Sequence, residues 1–248
     1  MASATTEVLT LGGVDAERLA TAPFGILPVG SIEYHGPAAP FGTDTTLAVG
    51  FARRLAQERD GLVYPAVAYS FVPRLTRAFG PGVSVAPDVF LSYLTAVMHG
   101  IVAAGTRRLV VMNGHSENQY ALRLAAENVS EAAEGVSVLL CNWWKLAPRG
   151  LFPDADGHGH GGPLEISTVA AFERAGVKVP ADTTHDVPYE APWWRQAAQV
   201  VGEGQAPAGF KGYHGAVSAI DVPKGEQIVA VVTAEMCRLV DDWLARAS

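Results

Sequence analysis

Short apolar runs alternate along this chain with segments in which apolar residues recur every three or four positions. The runs have the length of buried strands and lie at 24–29, 62–67, 107–112 and 136–141. The periodic segments predict amphipathic helices at 47–55, 87–105, 119–133, 164–175 and 224–247. This alternation predicts an α/β fold with a parallel sheet between two helical layers, a three-layer α/β/α sandwich.

Two long segments, 70–86 and 143–162, show neither pattern, and segments of this kind are often lids or binding loops. The sequence contains no internal repeat, low-complexity tract or linker that would divide it. We therefore predict a single domain over 1–248, with its core at about 24–237. Ligands bind beyond the carboxyl ends of the strands in such sheets, so residues that follow the predicted strands are the first candidates for chemistry.

Composition and charge exclude several classes of protein. Of the 248 residues 49% are hydrophobic, which excludes an intrinsically disordered chain. Lys and Arg number 18 against 25 Asp and Glu, a net charge of −7, and basic residues do not cluster beyond pairs, so we expect no nucleic-acid partner. The longest apolar stretches are about half of the ~20 residues that a membrane span needs, so we expect no membrane association. The start shows no secretory signal, and Cys141 and Cys237 lie in apolar segments, which predicts buried thiols in a reducing cytoplasm.

Acidic residues and histidines follow the first and third predicted strands and also occupy the second long loop. Their positions are Glu33, His35 and Asp44 after the first strand, His115 and Glu117 after the third, and His158, His160 and Glu165 in and after the loop. Glu33 and His35 are two residues apart, as are His115 and Glu117. Each pair therefore lies on one face if its segment is extended.

The five of these residues that follow the first and third strands have the composition of a metal centre. Two Glu, two His and an Asp suit two divalent ions, because a carboxylate can bridge ions and imidazole suits zinc or manganese. Without cations, five ionisable groups at one sheet edge would repel one another. A single histidine after a strand is more often an ordinary loop residue, and Asn-Gly-His alone is a turn signal. The joint pattern favours a dinuclear site, in which two ions ~3.5–4 Å apart activate a water molecule and polarise a carbonyl group.

Four motifs, in order, resemble those of the creatininase (creatinine amidohydrolase) family. They read LPVGSIEYHGP at 27–37, GTD at 42–44, VMNGHSEN at 111–118 and HGGPLEIS at 160–167. The resemblance runs from about 24 to 226 and so covers nearly the whole chain. It implies a parallel sheet between helices and hydrolysis of a C–N bond, often in a small ring, by metal-bound hydroxide. It also implies a homo-oligomer, commonly a hexamer.

The resemblance further implies a role for each matched residue. The ligands divide into two sets that share Asp44: Glu33, Asp44 and His115 for one ion, and His35, Asp44 and Glu117 for the other. The two ions would be zinc, manganese or both, with iron as an alternative. His160 would transfer the proton near the scissile amide, and Glu165 at the start of the following helix would orient it.

Positions near the predicted pocket depart from the usual pattern of the family. Prolines and alanines at 37–40 stand where relatives usually place a second histidine. The aromatic residue that creatininase has shortly before its His-Gly-Gly loop is absent, so creatinine itself is not the expected substrate. Trp143 and Trp144 are either core residues or a stacking face for a flat ring. Together with Ser116 they are the candidate substrate contacts.

The leading hypothesis is a dinuclear metal-dependent amidohydrolase that acts on a small cyclic amide or a related C–N substrate. No G-x-S-x-G motif occurs and neither thiol lies near a motif histidine, which disfavours serine or cysteine nucleophiles. Two alternatives stay open. One is a peptidase or deformylase of the same family, and the other is a non-catalytic metal-binding assembly protein, for which loss of ligands would be expected.

Further aromatic residues and histidines carry secondary expectations. His185 and Trp193–Trp194 lie in a Pro-rich region that we interpret as a subunit contact. The resemblance to the family implies that Tyr213 and His214 lie near the pocket, and His99 is expected on a helix face. Whether His158, His185 or His214 reaches the site is left open by the sequence.

Overall fold

The computed structural model describes residues 7–152, 159–187 and 209–246. Within them, the sheet consists of β1 (Gly25–Val29), β2 (Leu62–Val63), β3 (Arg108–Asn113) and β4 (Ser137–Asn142). The strands run parallel in the order β2-β1-β3-β4. The two strands whose carboxyl ends carry the predicted ligands, β1 and β3, are therefore central neighbours.

Helices cover both faces of the sheet. Their bounds are α1 Arg18–Thr21, α2 Thr43–Arg59, α3 Arg74–Arg77, α4 Pro87–Ala103, α5 Asn118–Ala132, α6 Pro163–Phe172 and α7 Val222–Ala245. Single turns of 3-10 helix lie at Val8–Thr10, Gly13–Asp15, Trp143–Lys145, Thr183–His185 and Val217–Ala219. Helices α2, α6 and α7 pack together on one face, and α4 packs with α5 on the other. The predicted α/β class, with a parallel sheet between helical layers, is confirmed.

The alternating side chains of β3 connect the two cores. Val110 and Met112 belong to the cluster under α2, α6 and α7, whereas Leu109 and Val111 belong to the cluster under α4 and α5. This period of two places apolar residues on both faces of the strand, so a buried parallel strand reads as an unbroken apolar run.

The second strand is shorter than predicted. Hydrogen bonds from Tyr64 N to Ile26 O (2.8 Å) and from Val67 N to Pro28 O (2.9 Å) flank Pro65, which has no N–H to donate. The ladder is therefore interrupted after Val63, although Val67 still makes an isolated bridge to β1.

The long irregular segments contain short helices that periodicity did not reveal, namely α3 within 70–86 and the 3-10 turn at the start of 143–162. In the described part of the chain, every helix is too short or too polar to cross a bilayer.

Candidate metal centre

The candidate ligands come from loops and helix starts that meet beyond the carboxyl ends of β1 and β3. Glu33 and His35 follow β1, and His115 follows β3. Asp44 lies in the first turn of α2, and Glu165 lies in the first turn of α6.

Two glycines allow this close approach. A Cβ placed on Gly114 would lie 2.0 Å from the carbonyl oxygen of Asp44, and a Cβ on Gly30 would lie 2.4 Å from Cα of Thr45. Any larger residue would push the loops after β3 and β1 away from the start of α2. The Asn-Gly turn that follows β3 therefore has a packing reason in addition to its turn propensity.

Three groups of potential ligand atoms form where these segments meet. In each group the ligand atoms lie within 4.8 Å of one another, and the groups are Glu33–Asp44–His115, His35–Asp44–Glu165 and Glu33–His35–His160. Asp44 lies between two histidines, with Oδ1 at 3.0 Å from His35 Nε2 and Oδ2 at 3.0 Å from His115 Nδ1. The second and third groups are linked through His35, which also lies 3.7 Å from Oε2 of Glu165. The Asp44 carboxylate, which lies between His35 and His115, can bridge two ions.

Each of the three histidines uses one ring nitrogen to bind a backbone carbonyl. His35 Nδ1 lies 3.0 Å from Glu33 O, His115 Nε2 lies 3.2 Å from Phe71 O, and His160 Nε2 lies 2.8 Å from Tyr34 O. A carbonyl can only accept, so these outer nitrogens donate and the inner nitrogens face the carboxylates. Metal-binding histidines are commonly fixed in this way, because the outer hydrogen bond sets the tautomer and the ring orientation.

The carboxylates are also held by neighbouring hydroxyls. Ser31 Oγ donates to Asp44 Oδ2 and Thr76 Oγ1 donates to Glu33 Oε1, both at 2.5 Å. The other oxygen of Glu33, Oε2, makes no hydrogen bond of normal geometry within the described part of the chain, although His115 Nδ1 lies 3.2 Å away. A buried carboxylate oxygen with this geometry fits a metal ligand better than a hydrogen-bond acceptor.

The site is almost fully removed from solvent. Asp44 and Glu33 are each 1% exposed and His35 is 0% exposed, whereas the side chain of His160 is 24% exposed. His160 is therefore the histidine of the cluster that faces the opening. Buried carboxylates at this density require positive charge nearby, from protons or from cations.

The neighbouring carboxylates favour the protonated, positively charged forms of two histidines. Burial lowers the pKa of His35, but the carboxylates of Asp44, Glu165 and Glu33 outweigh it and raise the pKa to about 10. Burial is similarly outweighed at His115, where Glu33 and Asp44 raise the pKa to about 9. Burial would raise the pKa of Asp44, but His35 and His115 hold it well below its usual value.

His160 and Glu165 are shifted toward their neutral forms. Burial, together with the charge on His35, lowers the pKa of His160. Burial raises the pKa of the Glu165 carboxyl to about 7, although His35 and the N–H of Gly161 both favour its ionised form. The site therefore places a neutral imidazole and a carboxyl that titrates near neutral pH beside the buried anions.

Comparisons with known proteins identify the family of this chain. The sequence model of the family described as creatininase, creatinine amidohydrolase, matches residues 10–240. The chain belongs to the creatininase family.

Two relatives of this chain are named as hydrolases of different substrates. The mycofactocin precursor peptide peptidase of Mycobacterium tuberculosis is 28% identical over 94% of this chain and 91% of its own length. The 3-dehydro-scyllo-inosose hydrolase of Thermotoga maritima is 29% identical over 63% of this chain. That match covers 49% of the inosose hydrolase, so this chain spans about half of the length of that relative.

Solved creatininases share the fold. A crystal structure of creatinine amidohydrolase superposes with a TM-score of 0.80 at 23% identity, covering 98% of this chain and 99% of the other. The creatininase structures that match in this way include a manganese form and a zinc–zinc form. At this level of identity the likeness establishes the fold.

The structure brings together most of the residues that the sequence singled out. Glu33, His35, Asp44, His115, His160 and Glu165 form the ligand groups described above. Glu117 does not join them among the described residues, and instead lines a separate surface groove with Phe71, Tyr120 and Leu124.

Glu117 lies outside these groups because its segment is not extended, and its role as a metal ligand stays a prediction. Asn118 N donates to His115 O (3.1 Å), and Glu117 already has helical backbone angles of φ −70° and ψ −19° at the start of α5. The spacing of two therefore places the Glu117 side chain away from His115 and not beside it. Glu165, for which we expected an orienting role, occupies the place beside His35.

A cavity of about 120 Å³ opens beside the ligands and is lined by all three predicted substrate contacts, Ser116, Trp143 and Trp144. Trp143 is buried and stacks on Phe51 with ring centroids 5.4 Å apart, so it also serves the core. Trp144 is partly exposed and meets Trp143 edge to face. Trp143 is therefore a core residue that also lines the cavity, and a stacking role for Trp144 stays a prediction.

The secondary histidine expectations have different outcomes. His158 and Trp193–Trp194 lie outside the described residues. His185 is exposed, and its carbonyl accepts a hydrogen bond from the Tyr213 hydroxyl. His214 is buried beside the site, where its backbone N–H donates to His160 O at 2.7 Å.

Two contacts near the site were not predicted from the sequence, that of Thr76 with Glu33 and that of Tyr213 with the two histidine loops. Thr76 lies in α3, inside a segment without periodicity, and nothing in its local sequence indicates a contact with Glu33. The resemblance to the family predicts Tyr213 near the pocket, but the packing of its side chain on the histidine loops could not be inferred from it.

Proposed function

We propose that this chain is a hydrolase that cleaves the C–N bond of an amide with the help of two divalent metal ions. The observation that supports the proposal is the arrangement of the three histidines. Each is fixed by a backbone carbonyl on its outer nitrogen and presents its inner nitrogen to buried carboxylates. The donor set of imidazoles and carboxylates suits zinc or manganese, with iron as an alternative.

The geometry favours one division of the ligands. Glu33, Asp44 and His115 would hold one ion, and His35, Asp44 and Glu165 would hold the other, with Asp44 shared. Glu117 is the sequence-based alternative to Glu165. The bound ions would supply an activated water molecule and polarisation of the substrate carbonyl.

His160 is suited to move the proton during cleavage. Its Nε2 donates to Tyr34 O, so Nδ1 is the free nitrogen, and the lowered pKa leaves it neutral and able to accept a proton from the attacking water. The same nitrogen can then deliver that proton to the leaving amine. Glu165 Oε2 accepts from Gly161 N at 2.8 Å and so anchors the loop that carries His160.

A small substrate fits the cavity best. Its volume is about 120 Å³, and the described residues that line it include no Lys or Arg to bind an anionic group. We therefore propose a small neutral amide, such as a cyclic one, with Trp144 as the partly exposed aromatic wall. A peptide substrate is the second candidate, because the peptidase relative aligns over nearly the full length of both chains.

Metal content is the first experiment. Protein purified without chelator or affinity nickel is analysed by mass spectrometry for ions per chain, and the same preparation is assayed on cyclic amides, formamides and short peptides. We expect about two ions per chain. Absence of bound metal, even after zinc or manganese is added, would contradict the proposal, and two ions without hydrolysis of any substrate would favour the non-catalytic alternative.

A matched pair of variants tests the ligand division. Glu165→Gln is expected to lose about one ion per chain and most of the activity, while Glu117→Gln keeps two ions and its activity. The opposite result would show that Glu117 moves into the site when metal binds.

The remaining expectations about assembly and location are also proposals. We propose a homo-oligomer, with a hexamer as the expected state, which light scattering after size exclusion measures directly. A reducing cytoplasm is supported by the free and buried Cys141 and Cys237.

A further inference from the structure

A third apolar cluster lies apart from the two cores of the sheet. Its buried members are Ala38, Ile166, Val187, Tyr213, Val217 and Ile220. Tyr213 is its largest member and is only 2% exposed. Tyr213 and the residue after it, His214, contact the segments that carry His35 and His160, and so connect this cluster to the candidate metal centre.

Tyr213 packs directly on the two backbones that carry His35 and His160. A Cβ on Gly36 would lie 2.7 Å from Tyr213 Cγ, and a Cβ on Gly161 would lie 2.8 Å from Tyr213 Cβ. Gly36 and Gly161 immediately follow the two histidines, whose rings have centroids 4.1 Å apart. The thickness of the tyrosine therefore limits how the two histidine loops can move relative to each other.

Tyr213 is itself held from two sides. Its hydroxyl donates to His185 O at 2.8 Å, and the next residue donates its backbone N–H to His160 O at 2.7 Å. Two further bonds, Val187 N to Gly215 O (3.1 Å) and Gly215 N to Val187 O (2.7 Å), fix the segment that supplies the hydroxyl's acceptor. A side chain braced in this way can transmit its position to the loops it contacts.

We propose that Tyr213 is a positioning residue that sets the separation between His35 and His160. This inference rests on the proposed function, since it assigns a metal ligand and a proton-transfer group to the two histidines. Tyr213 reaches neither group through its own polar atom, so its contribution is the placement of their backbones. A misplacement of about 1 Å in such a site can reduce turnover by roughly 100-fold.

Three variants separate positioning from general stability. Tyr213→Leu removes the ring that packs on Gly36 but keeps the Cβ that faces Gly161. Tyr213→Phe removes only the hydroxyl bond to His185 O. Phe90→Leu is the control, because Phe90 is equally buried but belongs to the cluster under α4 and α5. If Tyr213→Leu does not fold by circular dichroism, Tyr213→Met replaces it.

The readout is the visible absorption spectrum of each protein loaded with two equivalents of cobalt(II), which reports ligand geometry without turnover. We expect a changed spectrum for Tyr213→Leu, and near wild-type spectra for Tyr213→Phe and Phe90→Leu. Once a substrate has been identified, the kcat of Tyr213→Leu should be about 10- to 100-fold lower than that of the wild type, with little change in KM.

The failures of the two proposals are distinguishable. A wild-type protein that binds no cobalt would contradict the proposed function. A wild-type protein that binds cobalt, together with an unchanged spectrum in Tyr213→Leu, would overturn the positioning role alone. A change of equal size in Phe90→Leu would also overturn it, because the effect would then be one of general stability.

Discussion

Metal binding to the metal-free protein is expected to release protons in a number set by the two central histidines. The pKa of His35 is raised to about 10 and that of His115 to about 9. At pH 7.5 both imidazoles are therefore protonated in more than 90% of metal-free molecules, by the ordinary titration equation. The inner nitrogens that would bind the ions carry those protons, so both must leave.

The free energy with which these two protons oppose metal binding follows from the same pKa values. Removing a proton at pH 7.5 opposes binding by about 2 kcal/mol at His115 and about 3 kcal/mol at His35, at 1.36 kcal/mol per pH unit. The product of the two metal-binding constants should therefore fall about 100-fold for each unit of pH below 7.5. Glu165, with a pKa of about 7, adds a fraction of a further proton.

Calorimetry measures the protons directly. Zinc is titrated into metal-free protein at pH 7.5 in three buffers with different enthalpies of ionisation, and the slope of the observed enthalpy gives the number released. We expect about two or slightly more. A variant of a histidine outside the cluster, His99→Gln in α4, should give the same number.

Thermal stability tests the same pKa values, because the Tm of metal-free protein should fall with rising pH while metal affinity rises. Because the folded-state pKa values lie above the ordinary value of 6.5, the two histidines stabilise the metal-free fold fully below pH 6.5. That stabilisation is lost as pH rises through about 9 and 10, so the Tm of metal-free protein should fall over this range while that of metal-loaded protein changes little. Release of fewer than one proton, with a flat Tm between pH 8 and 10, would refute the reasoning.

Two further predictions concern the residues around the ligands. Thr76→Val removes the hydroxyl that donates to Glu33 Oε1, and we expect metal affinity to fall about 10-fold or more by competition with a chromophoric chelator. Unchanged affinity would show that the bond to Glu33 is dispensable. Gly114→Ala places a Cβ 2.0 Å from Asp44 O and should destabilise the protein by about 1–3 kcal/mol in urea unfolding, with loss of metal. Gly100→Ala in α4 is the control, because among the described residues an added Cβ there would meet no side chain and no other element within 4 Å. It should stabilise the protein by up to about 1 kcal/mol, and equal effects of the two substitutions would contradict the packing argument.

The fold could be predicted from the sequence because the central strands β1 and β3 are buried on both faces. Residues such as Val110 and Val111 face different cores, so the strand appears as one apolar run, and the intervening helices show clear periodicity. Pro65 was a readable signal for the shortened β2, since proline cannot donate to the ladder. The short α3 gave no such signal, because four residues are too few for a period to show.

The difference between Glu117 and Glu165 shows where spacing stops being informative about a site. A spacing of two predicts a shared face only for extended backbone, and β3 has already ended when the chain turns at His115 to begin α5. Glu165 carried a weaker signal, because its nearness to His35 depends on how α6 packs against α2 and not on any local pattern. Candidate ligands within one segment can therefore be predicted from its conformation, whereas candidate ligands that meet across elements depend on the tertiary packing. The metal-loaded site should need a ligand of each kind, one from within a segment and one from another element. Asp44 cannot hold two ions unless a further carboxylate lies beside each ion.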